Sequence, residues 1–303
     1  MSRKDPVRLM AIGDELLARL SDCDLCPQNC RVDRTAGQTG QCGITDRLQV
    51  ASCNLHHGEE PPLSGSRGSG TIFFSGCSLS CLYCQNYPIS QNLVGSPMTI
   101  EELAEQMLSL QRRTAHNINL VTPDHVVGHI VKAIGLAVKD GLDIPIVFNS
   151  SGYQKLETLR LLQGIVDIYL VDMRYADNEI ARNCSRAGQY KEVNQAAVKE
   201  MFRQVGNLAL DSDGIATSGV LVRHLVLPQG MSGSAEVFRF MAEEVSRDIY
   251  VSLMSQYFPA YQAVDHPQLG RKITPAEFDK AVRMFYNAGL RNGYIQEMRS
   301  GGA

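Results

Sequence analysis

Three cysteines stand close together in "TIFFSGCSLSCLYCQN" (71–86): Cys77, Cys81 and Cys84, spaced C-x3-C-x2-C. Thiolates are soft ligands, and this spacing gathers them at one metal centre. A closed structural site takes four protein ligands, whereas a reactive site keeps a coordination position open. Three thiolates suit three irons of a cubane [4Fe–4S] cluster and leave the fourth iron free for a substrate or cofactor. The competing reading is a zinc knuckle completed by a distant His or Cys.

A second set lies upstream. "CDLCPQNCRVDRTAGQTGQC" places Cys23, Cys26, Cys30 and Cys42 at C-x2-C-x3-C-x11-C. Four thiolates with a tight first pair predict either a structural zinc clip or an auxiliary iron–sulfur cluster. Cys53, in "SCNLHHGEE" beside His56 and His57, is a candidate substitute or fifth ligand. Of the nine cysteines only Cys184 lies outside residues 23–84. Crowding at one end of a 303-residue chain favours metal ligation over a disulfide framework.

Composition narrows the function classes. A net charge of −3 offers no basic face for nucleic acid. No apolar run approaches the roughly 20 residues that span a bilayer. The opening "MSRKDPVRLMAIGDELLARL" carries charges through its apolar part, so it reads as an amphipathic helix and not a secretory signal. A cytoplasmic protein is expected.

Six segments read as strands: "TIFFS" (71–75), "NINLVT" (117–122), "IPIVFN" (144–149), "VDIYLV" (166–171), "GVLVRHLV" (219–226) and "YVSLMS" (250–255). Each is a short run rich in β-branched or aromatic residues, mostly without strict alternation, as in strands buried on both faces of a parallel sheet. Helices separate them. Thr99 with Glu102 forms a capping box, "HVVGHIVKAIGLAVKDG" has helical spacing, and Thr274, Pro275 and Glu277 open another helix. The order predicts an α/β fold, a partial TIM-like barrel of six β-then-α units over 71–303. Residues 1–70 form an N-terminal helix, a Cys-rich metal-binding segment and a linker, "GEEPPLSGSRGSG" (58–70). Active sites of such sheets gather at the C-terminal strand ends, which is where Cys77, Cys81 and Cys84 follow the first barrel strand.

"CSLSCLYCQN", with its aromatic Tyr83, resembles the CxxxCxΦC signature of the radical S-adenosylmethionine (radical SAM) superfamily. "CQN", "VDIYLVDMRY" and "VRHLVLPQG" resemble the pyruvate formate-lyase activating enzymes. "CDLCPQNCRVDRTAGQTGQCG", "GEEPPLSG", "LVTPDH", "FNSSGY" and "LMSQYFP" resemble a related branch named PflX-like, over nearly the whole chain. The resemblance implies a (β/α)6 partial barrel, a [4Fe–4S] cluster at Cys77, Cys81 and Cys84, and SAM chelated by the open iron. It also implies an electron donor such as flavodoxin or ferredoxin, and reductive cleavage of SAM to a 5′-deoxyadenosyl radical that abstracts hydrogen. An activase role would take that hydrogen from a glycine of a partner enzyme.

The same resemblance implies SAM contacts from Tyr83 and Asn86 in the cluster loop, Thr122 after the second strand, and Asn149 and Ser151 after the third. Asp172 and Arg174 match the activases' Asp-x-Lys on the fourth strand, and Arg223 stands on the fifth. The superfamily's Gly-Gly-Glu-Pro is replaced here by Thr122, Pro123 and Asp124, so the usual carboxylate is missing from its place. A strand-end ion pair is the plainer reading of Arg174.

Other residues read as structural. Arg223 and His224 point to opposite faces of their strand, and His224 reads as a satisfied histidine. Glu59 and Glu60 read as solvated loop residues, and His125 and His129 as a plain helix surface. Cys184 reads as an ordinary thiol in a loop, and Tyr257 and Tyr261 as packing. Two alternatives to the activase reading stand: radical modification of a peptide or small molecule, and a non-enzymatic iron–sulfur or zinc scaffold that senses redox state or binds a partner.

Overall fold

The computed structural model describes residues 4–298. Its strands are β1 (Gln49–His56), β2 (Ser69–Phe74), β3 (Ser96–Pro97), β4 (Ile118–Val121), β5 (Ile146–Ser150), β6 (Ile168–Asp172), β7 (Ala209–Leu210), β8 (Ala216–Leu225), β9 (Tyr250–Met254) and β10 (Gly293–Ile295). Its helices are α1 (Pro6–Ala18), α2 (Pro61–Ser64), α3 (Tyr87–Ser90), α4 (Ile100–Arg112), α5 (Val127–Lys139), α6 (Leu156–Leu161), α7 (Asn178–Ser185), α8 (Tyr190–Val205), α9 (Ser234–Phe240) and α10 (Pro275–Asn287).

The main sheet runs β10-β9-β8-β6-β5-β4-β2-β1-β3, with β7 beside β8. From β2 across to β10 every neighbour is parallel, and β1 lies antiparallel on β2. The two end strands do not pair, so the sheet is the expected partial barrel. It has one more parallel strand than the six expected. β10 is three residues long and too short to show a pattern. β1 was also not expected; it is half-exposed and carries Cys53 and Asn54 in place of apolar residues.

Alternation along the strands divides the core. Val147, Ile168, Leu170 and Leu221 point inward and pack with Leu63 of α2, in the segment 58–70 expected to be a linker. Phe148, Tyr169, Val171 and Val222 belong to the larger outer core shared with the helices. Continuing the inward set by twos toward the C-terminal strand ends leads from Val147 to Asn149 and Ser151, from Leu170 to Asp172, and from Leu221 to Arg223. The barrel is therefore apolar below and polar at the end where the cysteines emerge.

The capping box of α4 forms as expected, and the residues expected to open α10 form a second one: Thr99 accepts from Glu102 N–H, Thr274 accepts from Glu277 N–H, and each glutamate reaches back. α1 lies against α5, where a side chain at Gly128 would press on Leu17 and one at Gly135 on Leu9. α5 begins after a short turn holding His125, and both histidines of "HVVGH" are buried, not on a helix surface. His125 Nε2 bonds Ser75 O at 2.7 Å and His129 Nε2 bonds Asp46 O at 2.7 Å. Burial pushes the His125 pKa down to about 4.

Candidate active site

A cavity of about 430 Å³ opens at the C-terminal ends of the parallel strands. Cys77, Cys81 and Cys84 form one wall, and all three are free thiols. Of the residues expected to contact SAM, Asn86, Thr122, Asn149 and Ser151 line it, as do Asp172, Arg174 and Arg223. Tyr83 lines an adjoining recess of about 210 Å³ shared with Cys81 and Cys84.

The cysteine loop is fastened from several directions. Ser80 N–H donates to Ser185 O at 3.0 Å and Leu82 N–H to Cys184 O at 2.8 Å, so the C-terminal carbonyls of α7 hold the loop. Cys184 thus lies in a helix, buried, and not in a loop. Gln28 donates to Ser78 O at 2.9 Å and Gln41 to Ser80 Oγ at 2.6 Å, both from the upstream Cys-rich segment. Gly76 takes φ +84°, and an added Cβ would lie 2.5 Å from Cys42 O. Only glycine admits that turn at that closeness.

Each sulfur has a polar neighbour. Leu79 N–H donates to Cys77 Sγ at 3.4 Å, and Cys84 Sγ lies 3.1 Å from Ser90 Oγ. Cys81 Sγ accepts from Arg174 Nη1 at 2.8 Å and from Ser185 Oγ at 3.0 Å. Burial pushes the Cys77 and Cys81 thiols up, and for Cys81 the Arg174 charge works against that rise.

Asp172, Arg223 and Ser252 are register neighbours on β6, β8 and β9. Arg174 pairs with Asp172 Oδ2 through Nε at 3.0 Å and Nη2 at 2.6 Å, so the ion pair forms inside the cavity wall. Arg223 crosses the interior to Glu60 and Glu59. Burial opposes its charge, but Glu60 and Glu59 outweigh burial and hold its pKa above the ordinary value. Both glutamate side chains are only 6% exposed, which overturns their reading as solvated loop residues. The Arg223 contact, 163 positions away, draws them in. His224 faces the other way, bonded to Met173 O at 2.7 Å and Ser234 Oγ at 2.9 Å, a satisfied histidine as expected.

Thr122 holds a left-handed backbone, φ +58°, a strained state for a β-branched residue that occurs at functional sites. Asp124 is buried with both carboxyl oxygens unpartnered, and burial pushes its pKa up to about 7. Tyr257 is buried and donates to Leu269 O at 2.7 Å, and Tyr261 stacks on Tyr87 with centroids 4.9 Å apart.

Upstream, Cys23, Cys26, Cys30 and Cys42 are electrostatic neighbours: Cys30 and Cys42 act on Cys26, and Cys23 and Cys30 act on Cys42. Arg34, 1% exposed, ties this segment to the barrel through His125 O at 2.8 Å. Cys53 sits mid-strand opposite Ile72, with burial the sole cause of its raised pKa, so the structure does not bring it to the other four. Among the described residues no three His, Cys, Asp or Glu side chains gather as a single-ion site.

A family profile described as the Radical SAM superfamily matches residues 71–208, from β2 to the threshold of β7. "Uncharacterized protein MJ0674" of Methanocaldococcus jannaschii is 30% identical over 285 residues, spanning 89% of this chain and 76% of that protein. The chain belongs to the radical SAM superfamily.

Solved structures resemble this radical SAM protein more loosely. TYW1 with a lysine-pyruvate adduct bound gives a TM-score of 0.46 at 12% identity, over 72% of this chain and 73% of that one. The FeFe-hydrogenase maturase HydG from Carboxydothermus hydrogenoformans gives 0.49 at 16% identity, over 74% and 52%.

Radical SAM enzymes carry a [4Fe–4S] cluster and SAM, and the residues present fit both. The cluster's donors would be three free thiols on one cavity wall, a soft set suited to iron–sulfur. Cys81 already accepts hydrogen bonds, as a ligating thiolate does. The cavity's volume lies in the range of small-molecule sites, and its lining offers carboxylates, two guanidinium groups, amides and hydroxyls for SAM. None of the described helices is long and apolar enough to cross a membrane.

Proposed function

We propose that this radical SAM enzyme acts on a segment of polypeptide, in the manner of the activating enzymes, and takes a hydrogen atom from a glycine of a partner protein. One observation carries the reading. The cysteine-lined cavity shares Gln256 and Gln296 with a groove of about 900 Å³ beside β10, the open end of the sheet. Phe258, Ile273 and Met298 line that groove with Lys272 and Gln85. A mixed apolar and polar groove of this volume, open at the side, suits an extended chain better than an enclosed metabolite.

Cys77, Cys81 and Cys84 would hold the cluster. When bound, it supplies the electron that splits SAM into methionine and a 5′-deoxyadenosyl radical. The protein's work is positioning and exclusion of water. Arg174, paired with Asp172, offers a cation to the SAM carboxylate. Asn149 and Ser151 would meet the ribose hydroxyls, Asn86 and Tyr83 border the pocket from the cluster loop, and Thr122 would offer its carbonyl in place of the missing motif carboxylate. Arg223 closes the inner end with Glu59 and Glu60.

Cys23, Cys26, Cys30 and Cys42 are the ligands we propose for a second centre, an auxiliary cluster or a zinc ion, the latter requiring the four thiols to close into a single-ion site that they do not form among the described residues. Metal analysis of a variant lacking Cys77, Cys81 and Cys84 distinguishes the two. We place the enzyme in the cytoplasm, where thiols stay reduced, with a flavodoxin or ferredoxin as electron donor.

The activase reading is tested by incubating the reduced enzyme anaerobically with SAM and proteins that co-purify with it. A glycyl-radical signal by electron paramagnetic resonance on a partner is expected. Deoxyadenosine formed with no protein radical, while a small molecule is consumed, contradicts it.

A further inference from the structure

Cys81 differs from its two companions in what stands behind its sulfur. Ser185 Oγ lies 3.0 Å from Cys81 Sγ, Tyr175 OH lies 2.6 Å from Ser185 Oγ, and the Tyr83 and Tyr175 hydroxyls are bonded to each other. All four residues are buried. The path leaves the cysteine loop at Tyr83, runs through β6's continuation and the end of α7, and returns to the same loop at Cys81.

Proton count fixes its direction. Each hydroxyl owns one proton, and a thiolate bound to iron owns none. Ser185 therefore donates to Cys81, Tyr175 to Ser185, and Tyr83 to Tyr175. Aligned in series, each bond polarises the next, and the low dielectric of the interior strengthens the effect. Packing does not require these oxygens. Tyr175 meets Tyr190 edge-on at 5.4 Å and Tyr83 meets Tyr257 edge-on at 5.8 Å, contacts that phenylalanine rings would make equally. A buried hydroxyl without a partner is costly, so the oxygens are accounted for only as a chain.

We propose that the Tyr83–Tyr175–Ser185 hydroxyl chain raises the reduction potential of the cluster through Cys81, beside the Arg174 guanidinium on the same sulfur, with Ser185 as the positioning residue that delivers the last hydrogen bond of the chain. This rests on the radical SAM assignment of Cys77, Cys81 and Cys84. Reduction adds negative charge to the cluster, and a donor aimed at a ligating sulfur stabilises the more negative form. The chain therefore makes the cluster easier to reduce.

The test is a redox titration of anaerobically reconstituted wild type, Ser185→Ala and Tyr175→Phe, followed by electron paramagnetic resonance of the reduced cluster, with iron counted per chain. The expected result is a midpoint shifted to more negative potential in Ser185→Ala. A smaller shift in the same direction is expected in Tyr175→Phe, which keeps the ring and the last hydrogen bond. If Ser185→Ala fails to load iron, Tyr175→Phe decides. Wild-type midpoints in a cluster-replete variant overturn the inference and leave the family reading intact. A wild-type protein that holds no [4Fe–4S] cluster overturns both.

Discussion

Arg223 meets Glu60 side-on, Nε to Oε1 at 2.7 Å and Nη2 to Oε2 at 2.6 Å, and the same guanidinium binds Glu59. This clamp joins the segment before β2 to β8 across the barrel interior. Removing the cation leaves both carboxylates buried without their guanidinium partner, and among the described residues only His56 Nδ1, 3.4 Å from Glu59 Oε1, stands nearby as a weaker base. Arg223→Leu is expected to cost about 3–5 kcal/mol in urea unfolding of the cluster-free protein. Restoring stability by adding Glu59→Gln and Glu60→Gln would confirm that stranded charge, and not lost packing, is the cause.

His224 gives stability a pH dependence. Burial pushes its folded pKa down to about 4. The unfolded value is about 6.5. Between those values the unfolded chain binds a proton that the native chain does not, so stability falls as pH drops through that window and is complete above it. The full loss is roughly 3 kcal/mol. His224→Gln is expected to shrink the difference between urea unfolding near pH 7 and near pH 5. An unchanged difference contradicts the assignment of a neutral buried imidazole.

Gly76 lies where the upstream Cys-rich segment passes under the cluster loop. Gly76→Ala sets a methyl against Cys42 O and Ile44 Cγ1, and is expected to lower iron bound per chain after reconstitution. Gly37→Ala is the control, because its added carbon meets nothing within 4 Å, although it shares a positive φ. Equal iron in both variants contradicts the role given to the turn.

What the sequence revealed was local. The six expected strands, the capping box at Thr99 and the helix opening at Thr274 rest on neighbouring residues, and all of them form. Site residues at the ends of parallel strands were legible for the same reason, since strand direction alone sends Asn149, Ser151 and Asp172 to the cysteine end. What escaped depends on distant partners. Glu59 and Glu60 read as solvated until Arg223 drew them inside. His125 and His129 were buried by Ser75 and Asp46, residues of other segments. Tyr175 ends the stretch "VDIYLVDMRY" but, like Ser185, shows no role in the sequence, and only folding brings their hydroxyls behind Cys81.

The central claim is that Cys77, Cys81 and Cys84 build a centre that cleaves SAM. The most direct measurement is 5′-deoxyadenosine formed by the anaerobically reconstituted, dithionite-reduced protein given SAM, beside Cys81→Ala under the same conditions. The account predicts deoxyadenosine from the wild type and none above background from the variant. A cluster-replete wild type that binds SAM without cleaving it, or a Cys81→Ala variant that cleaves it equally well, would contradict the account.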